Sequence, residues 1–309
     1  MVARVTILAL LMIGCSHPHA PTQQPRPGNY TAIVDGVTIA YHVAGEGPVC
    51  LAHPGGPGAE WTYLRMPLVE KTFTMIYIEP VGTGASGKLA KPTDYQVPKY
   101  VEMLEGLRAH LGLDRVYVLG HSHGGFVAQL YALTHPDRMR GLILYDTSPT
   151  TGPDWQADVV ANLKWFEKEP WFADASKALA EEGTAATDAD LTAIFHREAP
   201  LYFAHYTRRR GELDPMIAKI KIAAAPTKAS EPGPSGVAPP FDVTSKLGQI
   251  QCPTLIVVGE KDFICSQKMA ERLHQGIHGS QLVVLGQSGH MGHVEEPEQF
   301  ASAIARFAL

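Results

Sequence analysis

The sequence has few cysteines, and their spacing excludes the common cysteine-based sites. Cys15, Cys50, Cys252 and Cys265 are the four cysteines, and they show neither a CxxC pair nor zinc-finger spacing. We therefore expect no metal and no cofactor. With Cys15 set aside, one disulfide among the other three is compatible with an oxidising compartment, but the sequence does not indicate which pair would form it.

Charge is also scarce, at 18% of 309 residues, and no long basic run is present. Acidic residues outnumber basic ones, 31 to 26, which gives a formal net charge of -5. Nucleic acid is therefore not an expected partner, because a polyanion needs a basic surface. The chain is 45% hydrophobic, enough to bury a full core. A small molecule or a short peptide is the expected substrate.

A long apolar segment is missing as well, although the first 28 residues differ from the rest. Arg4 precedes an apolar run over residues 5–13, which is too short to span a bilayer and is typical of a signal peptide. Residues 11–15, LMIGC, resemble a bacterial lipobox, in which a lipidated cysteine tethers the protein to a membrane. We expect export to the periplasm or cell surface, with Cys15 as a membrane tether. The alternatives are an ordinary cleaved signal peptide and a cytosolic protein with an irregular N-terminus.

The pattern after the leader alternates strands and helices. Two β-rich runs, 30–34 and 37–43, are separated by Asp35-Gly36, a dipeptide typical of a hairpin turn. Six further short runs are apolar throughout, which predicts strands buried on both faces; they are 49–52, 73–78, 116–119, 142–145, 255–258 and 282–285. Helical spacing separates most of them. The sequence predicts an α/β fold with a mostly parallel, eight-stranded sheet flanked by helices.

The alternation stops once, between residues 148 and 245. This stretch has aromatic and acidic helical segments and then a Pro/Gly/Ser-rich part, 225–240. We interpret 148–245 as an inserted helical lid whose loose return allows it to open for substrate. The predicted organisation is a signal peptide and linker over 1–28, a core domain over 29–147 and 246–309, and the lid.

The segment most informative about chemistry is 116–128, VYVLGHSHGGFVA. An apolar strand, a GxSxG motif and an amphipathic helix follow one another, which is the context of a nucleophile elbow. Glycines at Gly120 and Gly124 allow the backbone to pass closely around a strained serine. A chance GxSxG in a loop is the alternative. The pattern predicts Ser122 as a nucleophile, which requires a base elsewhere in the chain.

An acid and a base follow in the order that this chemistry requires, after the last two predicted strands. Asp262 follows the run 255–258 and His290 follows the run 282–285, so both lie at strand ends, where parallel sheets bind ligands. Asp262 is expected to orient the imidazole of His290, which takes the serine proton. Glu260 and Asp146 are the alternative acids, and His293 is the alternative base.

The oxyanion of an acyl-transfer intermediate needs backbone donors. The N–H of His123, the residue after the nucleophile, is one expected donor. The glycine-rich loop 53–58, HPGGPG, lets the backbone approach a substrate closely, and we assign the N–H of Gly56 as the other; a glycine and proline turn without function is the alternative. The side chains of His121 and His123 are expected to form pocket wall and packing, because side chains next to the nucleophile point away from it.

Taken together, these motifs resemble the proline iminopeptidase branch of the α/β-hydrolase superfamily. That branch has HGGPG in the oxyanion loop, where this chain has HPGGPG, and a motif similar to 79–86, EPVGTGAS, which lacks the family's arginine. The helix end 131–136, YALTHP, and the pair Gly289-His290 followed by EEP at 295–297 are similar too. The resemblance implies the α/β-hydrolase fold and a serine hydrolase that forms an acyl-enzyme.

The resemblance also implies an acidic lid residue that holds the N-terminal ammonium of a substrate. In the family, one such residue precedes an aromatic pair, and 197–203, REAPLYF, makes Glu198 the candidate. A merely solvated acidic residue is the alternative. The elbow has His121 and His123 where that branch usually has Gly and Trp. A carboxylesterase or lactonase and a non-catalytic, receptor-like homologue therefore stay open, since fold and triad do not separate them.

Overall fold

An eight-stranded sheet forms the centre of the computed structural model, which describes residues 25–230 and 240–308. The spatial order is β1-β2-β4-β3-β5-β6-β7-β8. The strands are β1 (Gly28–Val34), β2 (Val37–Ala44), β3 (Val49–His53), β4 (Thr74–Ile78), β5 (Val116–His121), β6 (Met139–Tyr145), β7 (Thr254–Gly259) and β8 (Gln281–Leu285).

Strand directions follow the predicted pattern. The β1–β2 hairpin turns at Asp35 and Gly36, whose φ angles of 48° and 77° belong to the tight turn that dipeptides of this kind favour. Strand β2 also pairs antiparallel with β4, and the remaining neighbours pair in parallel. The prediction of a mostly parallel eight-stranded sheet is confirmed.

Both faces of the sheet are covered, because successive side chains of a strand point to opposite sides. Leu51 packs in one apolar cluster and its neighbours Cys50 and Ala52 in another. Helices α1, α2 and α8 contribute to the first cluster and α10 to the second. The four helices are α1 (Val97–His110), α2 (His123–Thr134), α8 (Gln267–Gly276) and α10 (Pro297–Ala308).

One strand departs from the expectation of burial on both faces. Strand β8 forms the edge of the sheet, and Val284 in it is 38% exposed. The prediction of two buried faces is wrong for this strand, which pairs with β7 alone among the described strands. Its apolar composition cannot be distinguished in sequence from that of a central strand.

The interval between β6 and β7, which includes the predicted lid, is helical. Isolated bridges join Ala59 to Ile222 and Thr150 to Asp242, and the N–H of Ala223 donates to the carbonyl of Gly58 at 2.8 Å. The lid therefore contacts the glycine-rich loop directly. Its helices are α3 (Pro153–Asn162), α4 (Phe172–Glu181), α5 (Asp188–Glu198), α6 (Tyr206–Ile217) and α7 (Ala224–Ser230).

Some predictions concern residues outside the described ranges. The leader with Cys15 lies there, and so do residues 231–239 of the return stretch, so export, lipidation and lid opening stay predictions. Within the described residues, no helix combines the length and apolar character needed to cross a membrane. Cys50, Cys252 and Cys265 are free cysteines, so the disulfide considered from the sequence is not formed among them.

Candidate active site

Ser122 lies in the turn between β5 and α2. Its φ and ψ angles are 53° and -121°, a conformation that is strained for a residue with a side chain. A Cβ on Gly120 would stand 2.2 Å from the carbonyl oxygen of Gly124, and one on Gly124 would stand 2.2 Å from that of His53. Both glycines are therefore needed for the close backbone contacts of this turn.

The structure brings Asp262 and His290 together. The Nδ1 atom of His290 lies 2.8 Å from Oδ2 of Asp262, and both residues are buried. The other carboxylate oxygen, Oδ1, accepts hydrogen bonds from the N–H groups of Ile264 and Cys265 at 3.0 and 2.9 Å. This fixes the carboxylate behind the imidazole. Glu260, the first alternative acid, is exposed.

Ser122 and His290 line the same cavity. Within the described residues, no hydrogen bond of 3.5 Å or less joins their side chains, which is common in structures without substrate. His293, the alternative base, is held elsewhere: its Nε2 donates to the carbonyl of Tyr63 at 2.8 Å and its Nδ1 pairs with the hydroxyl of Tyr145 at 2.8 Å.

Asp146, the second alternative acid, is fully buried directly after β6. Its Oδ1 accepts a hydrogen bond from the N–H of Gly259 at 2.8 Å. One of its carboxylate oxygens lies within 4.8 Å of ring nitrogens of His121 and His290. Asp262, not Asp146, makes the hydrogen bond to His290, but both carboxyls lie behind the imidazole.

The two expected oxyanion donors lie at the cavity. Gly56 lines it with φ 39°, and His123 is the first residue of α2, where a backbone N–H has no acceptor within the helix. The N–H of the preceding Gly55 is engaged, since it donates to the hydroxyl of Tyr63. Because the Gly55 N–H is bonded to Tyr63, Gly56 is the better candidate of these two glycines for the oxyanion donor.

His121 does more than form pocket wall. Its Nε2 lies 2.9 Å from the carbonyl oxygen of His290, and because a carbonyl only accepts, this nitrogen carries the proton. Its Nδ1 therefore accepts from the hydroxyl of Tyr63 at 2.8 Å. Tyr63 in turn accepts from Gly55. We name this chain of hydrogen bonds, from Gly55 through Tyr63 and His121 to His290, the cross-site chain.

His123 differs from His121 because neither of its buried ring nitrogens has a hydrogen-bond partner among the described residues. Burial, followed by the charge of the nearby His53, lowers the pKa of His123 to about 3. The ring packs edge-on against Tyr100 and Phe126. Its side chain therefore behaves as neutral packing, as the sequence suggested.

Glu198, the last residue of α5, is fully buried and lines the cavity. Its Oε1 accepts a hydrogen bond from the hydroxyl of Tyr202 at 3.2 Å. Burial first, and then the negative charge of Glu182, raise the pKa of Glu198 well above its ordinary value. Glu182 also lines the cavity. We name Glu182 and Glu198 the lid carboxyl pair.

The cavity has a volume of about 240 Å³ and a mostly apolar lining. The predicted lid provides several of its large apolar side chains: Trp155, Leu191, Phe195, Ile220 and Ile222. Ser122, His290 and the lid carboxyl pair all line the cavity. The space therefore suits a small substrate that is largely apolar and has a polar group at one end.

Two clusters of described residues have metal-ligand chemistry. One consists of His121, Asp146 and His290, and the other of Asp262, Cys265 and His290. Both depend on His290, whose Nδ1 is already bonded to Asp262. Burial also raises the pKa of the Cys265 thiol well above its ordinary value, which disfavours the thiolate that binds metals. We assign no metal to either cluster.

Sequence reasoning missed Tyr63, Tyr202 and Glu182. Tyr63 and His121 are 58 residues apart in sequence, so no local pattern indicates their contact. Tyr202 belongs to the aromatic pair after Glu198, and that neighbourhood is the signal that would have identified it. Glu182 lies in a separate short helical turn, 182–184, and nothing in its local sequence distinguishes it from an exposed lid residue.

Comparison with known proteins agrees with this geometry. The family described as alpha/beta hydrolase fold matches residues 48–297. Proline iminopeptidase of Saccharolobus solfataricus is 28% identical over 277 residues, which are 86% of each chain. That of Heyndrickxia coagulans is 28% identical over 272 residues, 85% of this chain and 91% of the relative.

Among solved structures, an alpha/beta fold family hydrolase from Bacillus anthracis superposes with a TM-score of 0.74. It is 17% identical, and the match covers 91% of this chain and 99% of that one. At this identity the likeness concerns the fold. Family match, curated relatives and sheet topology agree, and the chain is a hydrolase that belongs to the α/β-hydrolase fold family and resembles its proline iminopeptidase branch.

Proposed function

We propose that the protein is a serine hydrolase in which Ser122 attacks a substrate carbonyl and forms an acyl-enzyme. His290 takes the serine proton and later donates it to the leaving group. Asp262, bonded to Nδ1 of His290 at 2.8 Å, fixes the tautomer and stabilises the imidazolium. This assignment is supported by the order of the three residues in the chain and by their position after the carboxyl ends of β5, β7 and β8.

The oxyanion of the tetrahedral intermediate is assigned to the N–H groups of Gly56 and His123. Donors at fixed positions stabilise charge as it develops, and removing one such donor typically lowers kcat by about 10²–10³-fold. Gly56 is supported by the engagement of the Gly55 N–H with Tyr63. Water then attacks the acyl-enzyme through the same groups and regenerates Ser122.

The lid carboxyl pair carries the substrate assignment, which is an aminopeptidase of the proline iminopeptidase type. Glu198 is fully buried and Glu182 is half-buried. Two carboxyls this close in a partly desolvated site cannot both ionise easily, so they share one proton and retain a single negative charge. That charge matches one ammonium group, such as the free N-terminus of a peptide. The apolar cavity walls suit a compact apolar first residue, and proline iminopeptidases are the curated relatives that the sequence matches.

The test compares substrates that differ in the ammonium group. Wild type is expected to hydrolyse L-proline or L-alanine p-nitroanilide and to reject the N-acetylated forms. The double variant Glu182→Gln with Glu198→Gln removes the charge of the pair and keeps its shape, and we expect it to lower kcat/KM for the free amines about 10–100-fold, as for loss of a hydrogen bond to a charged group. Turnover of p-nitrophenyl acetate should change less than about threefold, because it has no ammonium.

Glu167→Gln is the matched control, because Glu167 is an exposed glutamate in the same lid. It should leave both activities unchanged, and Ser122→Ala should abolish them. Equal turnover of free and N-acetylated anilides would contradict the ammonium assignment. Lack of Ser122 labelling by a fluorophosphonate in wild type would contradict the serine mechanism and favour the receptor-like homologue.

A carboxylesterase or lactonase is the second candidate, and the mostly apolar lining favours it. The raised pKa of Glu198 also suits a neutral lid that binds an uncharged acyl group. Under this reading, p-nitrophenyl butyrate or a small lactone is hydrolysed and no anilide is. Glu198→Gln would then leave ester turnover unchanged.

The leader supports a separate proposal on location, which is export with lipidation at Cys15. Residues 5–13 supply the apolar run and residues 11–15 the lipobox-like motif. Mass spectrometry of the mature N-terminus in a bacterial host tests it. A diacylglycerol mass on Cys15 is the expected result, and an intact Met1 in the purified protein would contradict export.

A further inference from the structure

Behind His290 the structure places two carboxyls where the proposed triad requires one. Asp146 and Asp262 are both 0% exposed. Each places a carboxylate oxygen within 4.8 Å of a ring nitrogen of His290, and burial first, then the negative charge of Asp262, raise the pKa of Asp146 well above its ordinary value. Since burial strongly disfavours two adjacent negative charges, one of the carboxyls holds a proton while the site is at rest.

The hydrogen bonds identify which carboxyl stays ionised. Asp262 accepts from two backbone N–H groups and from His290. Asp146 accepts from one backbone N–H, that of Gly259. Its Oδ2 atom is buried and has no other partner among the described residues. Donors stabilise the ionised form, so the charge belongs on Asp262 and the proton on Asp146.

The described groups that act on Asp146 most strongly include no positive charge. Its own strand contributes Tyr145, and β5 contributes His121, whose pKa burial lowers well below its ordinary value. Glu295 adds further negative charge. His290 becomes positive only when it takes the proton of Ser122. Asp146 therefore remains neutral in the resting site.

The position of Asp146 is also fixed. Its N–H donates to the carbonyl of Val257 at 2.8 Å, which ties it to β7. Its φ angle is 44°, a left-handed conformation that aspartate and asparagine tolerate better than most residues. A strained, buried carboxyl with one oxygen that has no partner among the described residues indicates a role in the site.

From these contacts we propose that Asp146 is a positioning residue, a protonated carboxylic acid that donates a hydrogen bond from Oδ2 to Asp262 and replaces it as the acid when Asp262 is removed. The inference rests on the proposed triad. In the resting enzyme the Asp146 proton holds the Asp262 carboxylate toward His290. When Asp262 is absent, Asp146 loses that proton and its carboxylate, within 4.8 Å of a His290 nitrogen, stabilises the imidazolium.

The proton is observed directly by infrared spectroscopy, without any substrate. The difference spectrum between wild type and Asp146→Asn at pH 7 should contain the C=O stretch of one un-ionised carboxylic acid. Because Glu198 is common to both proteins, it cancels. If no such band is lost in Asp146→Asn, the wild type holds no protonated carboxyl that depends on Asp146, and the proposal is wrong.

The replacement role is measured by the rate at which a fluorophosphonate labels Ser122. Removing a triad acid lowers activity by about 10⁴-fold. We expect the labelling rate of Asp262→Ala to fall by clearly less than this factor. The double variant, Asp262→Ala together with Asp146→Asn, should label Ser122 at least tenfold more slowly than Asp262→Ala alone. Equal rates for these two variants would overturn the role of Asp146 as a second acid.

A conservative rescue separates positioning from folding. Asp146→Asn keeps a donor and an acceptor and suits the left-handed backbone, so it should label Ser122 at least tenfold faster than Asp146→Ala. Circular dichroism and thermal unfolding identify variants that fail to fold, and the infrared band decides the proposal in wild type regardless. If wild type is not labelled at all, the serine mechanism fails, while the infrared difference still tests for the protonated carboxyl.

Discussion

The cross-site chain predicts a specific defect for Tyr63→Phe. The substitution removes the one hydroxyl that accepts from the N–H of Gly55 and donates to Nδ1 of His121. Tyr63 is buried, so both partners lose a hydrogen bond in a place that water does not readily reach. Leaving one buried polar group unpaired costs about 1–3 kcal/mol, so for two such groups we expect the free energy of unfolding to fall by about 2–6 kcal/mol.

The catalytic effect should exceed what stability explains. The loop that carries Gly56 and the loop that carries His290 are joined through Tyr63 and His121, so relaxing this link misplaces the oxyanion donor relative to the base. We expect kcat for p-nitrophenyl acetate to fall about 10–100-fold, since small misplacements in a site are costly, while KM changes little.

Tyr77→Phe is the matched control. Tyr77 is also buried, and its hydroxyl accepts from the N–H of Met66 at 2.9 Å and donates to Glu70 at 3.1 Å. It should lose similar stability in urea unfolding and keep its kcat. If Tyr63→Phe and Tyr77→Phe lose stability equally and both keep wild-type kcat, the cross-site chain has no catalytic role and the reasoning is refuted.

Two further predictions concern the oxyanion loop and the elbow. Gly55→Ala should abolish activity, because its Cβ would stand 2.6 Å from Cβ of Ser122. Gly56→Ala has 3.5 Å between its Cβ and Cβ of Ala59, so it should cost only about 1–2 kcal/mol of backbone strain. Steady-state kinetics and thermal unfolding of both variants test this. The free energy of unfolding of His123→Leu minus that of wild type should be about 2 kcal/mol larger at pH 5 than at pH 7.5. Because the pKa of His123 is about 3 in the folded protein and about 6.5 in the unfolded chain, wild type loses stability as the pH falls below about 6.5. If urea unfolding shows the same stability difference between His123→Leu and wild type at both pH values, this prediction is contradicted.

The sequence was sufficient for the fold because its signals are local. Short, wholly apolar runs predict buried parallel strands, and Asp35-Gly36 predicts a hairpin turn. The positions of Ser122, Asp262 and His290 were predictable because each follows a strand in a fixed order. Burial was less predictable, as β8 shows: its residues are as apolar as those of the central strands, but the edge position depends on the topology.

The parts of the site that sequence reasoning missed are contacts between distant residues. Asp146 was considered as an alternative to Asp262, and nothing in the sequence suggests that the two carboxyls lie side by side. The lid carboxyl pair requires that Glu182, outside α5, faces Glu198 at its end. His121 was assigned to packing because neighbours of a nucleophile point away from it, and that rule does not predict a hydrogen bond to the backbone of His290.

The contacts around Glu295 restrict how substrate can enter. Its carboxylate accepts from the N–H of Gly289 in the catalytic loop and from those of Ala204 and His205 in the lid. The N–H of His290 also donates to the carbonyl of Tyr202 at 2.8 Å. Moving the lid segment that follows Glu198 would therefore displace the base. If the predicted lid opens, its other helices can move without breaking these contacts, and we expect the segment that follows Glu198 and the loop that carries His290 to move as one unit.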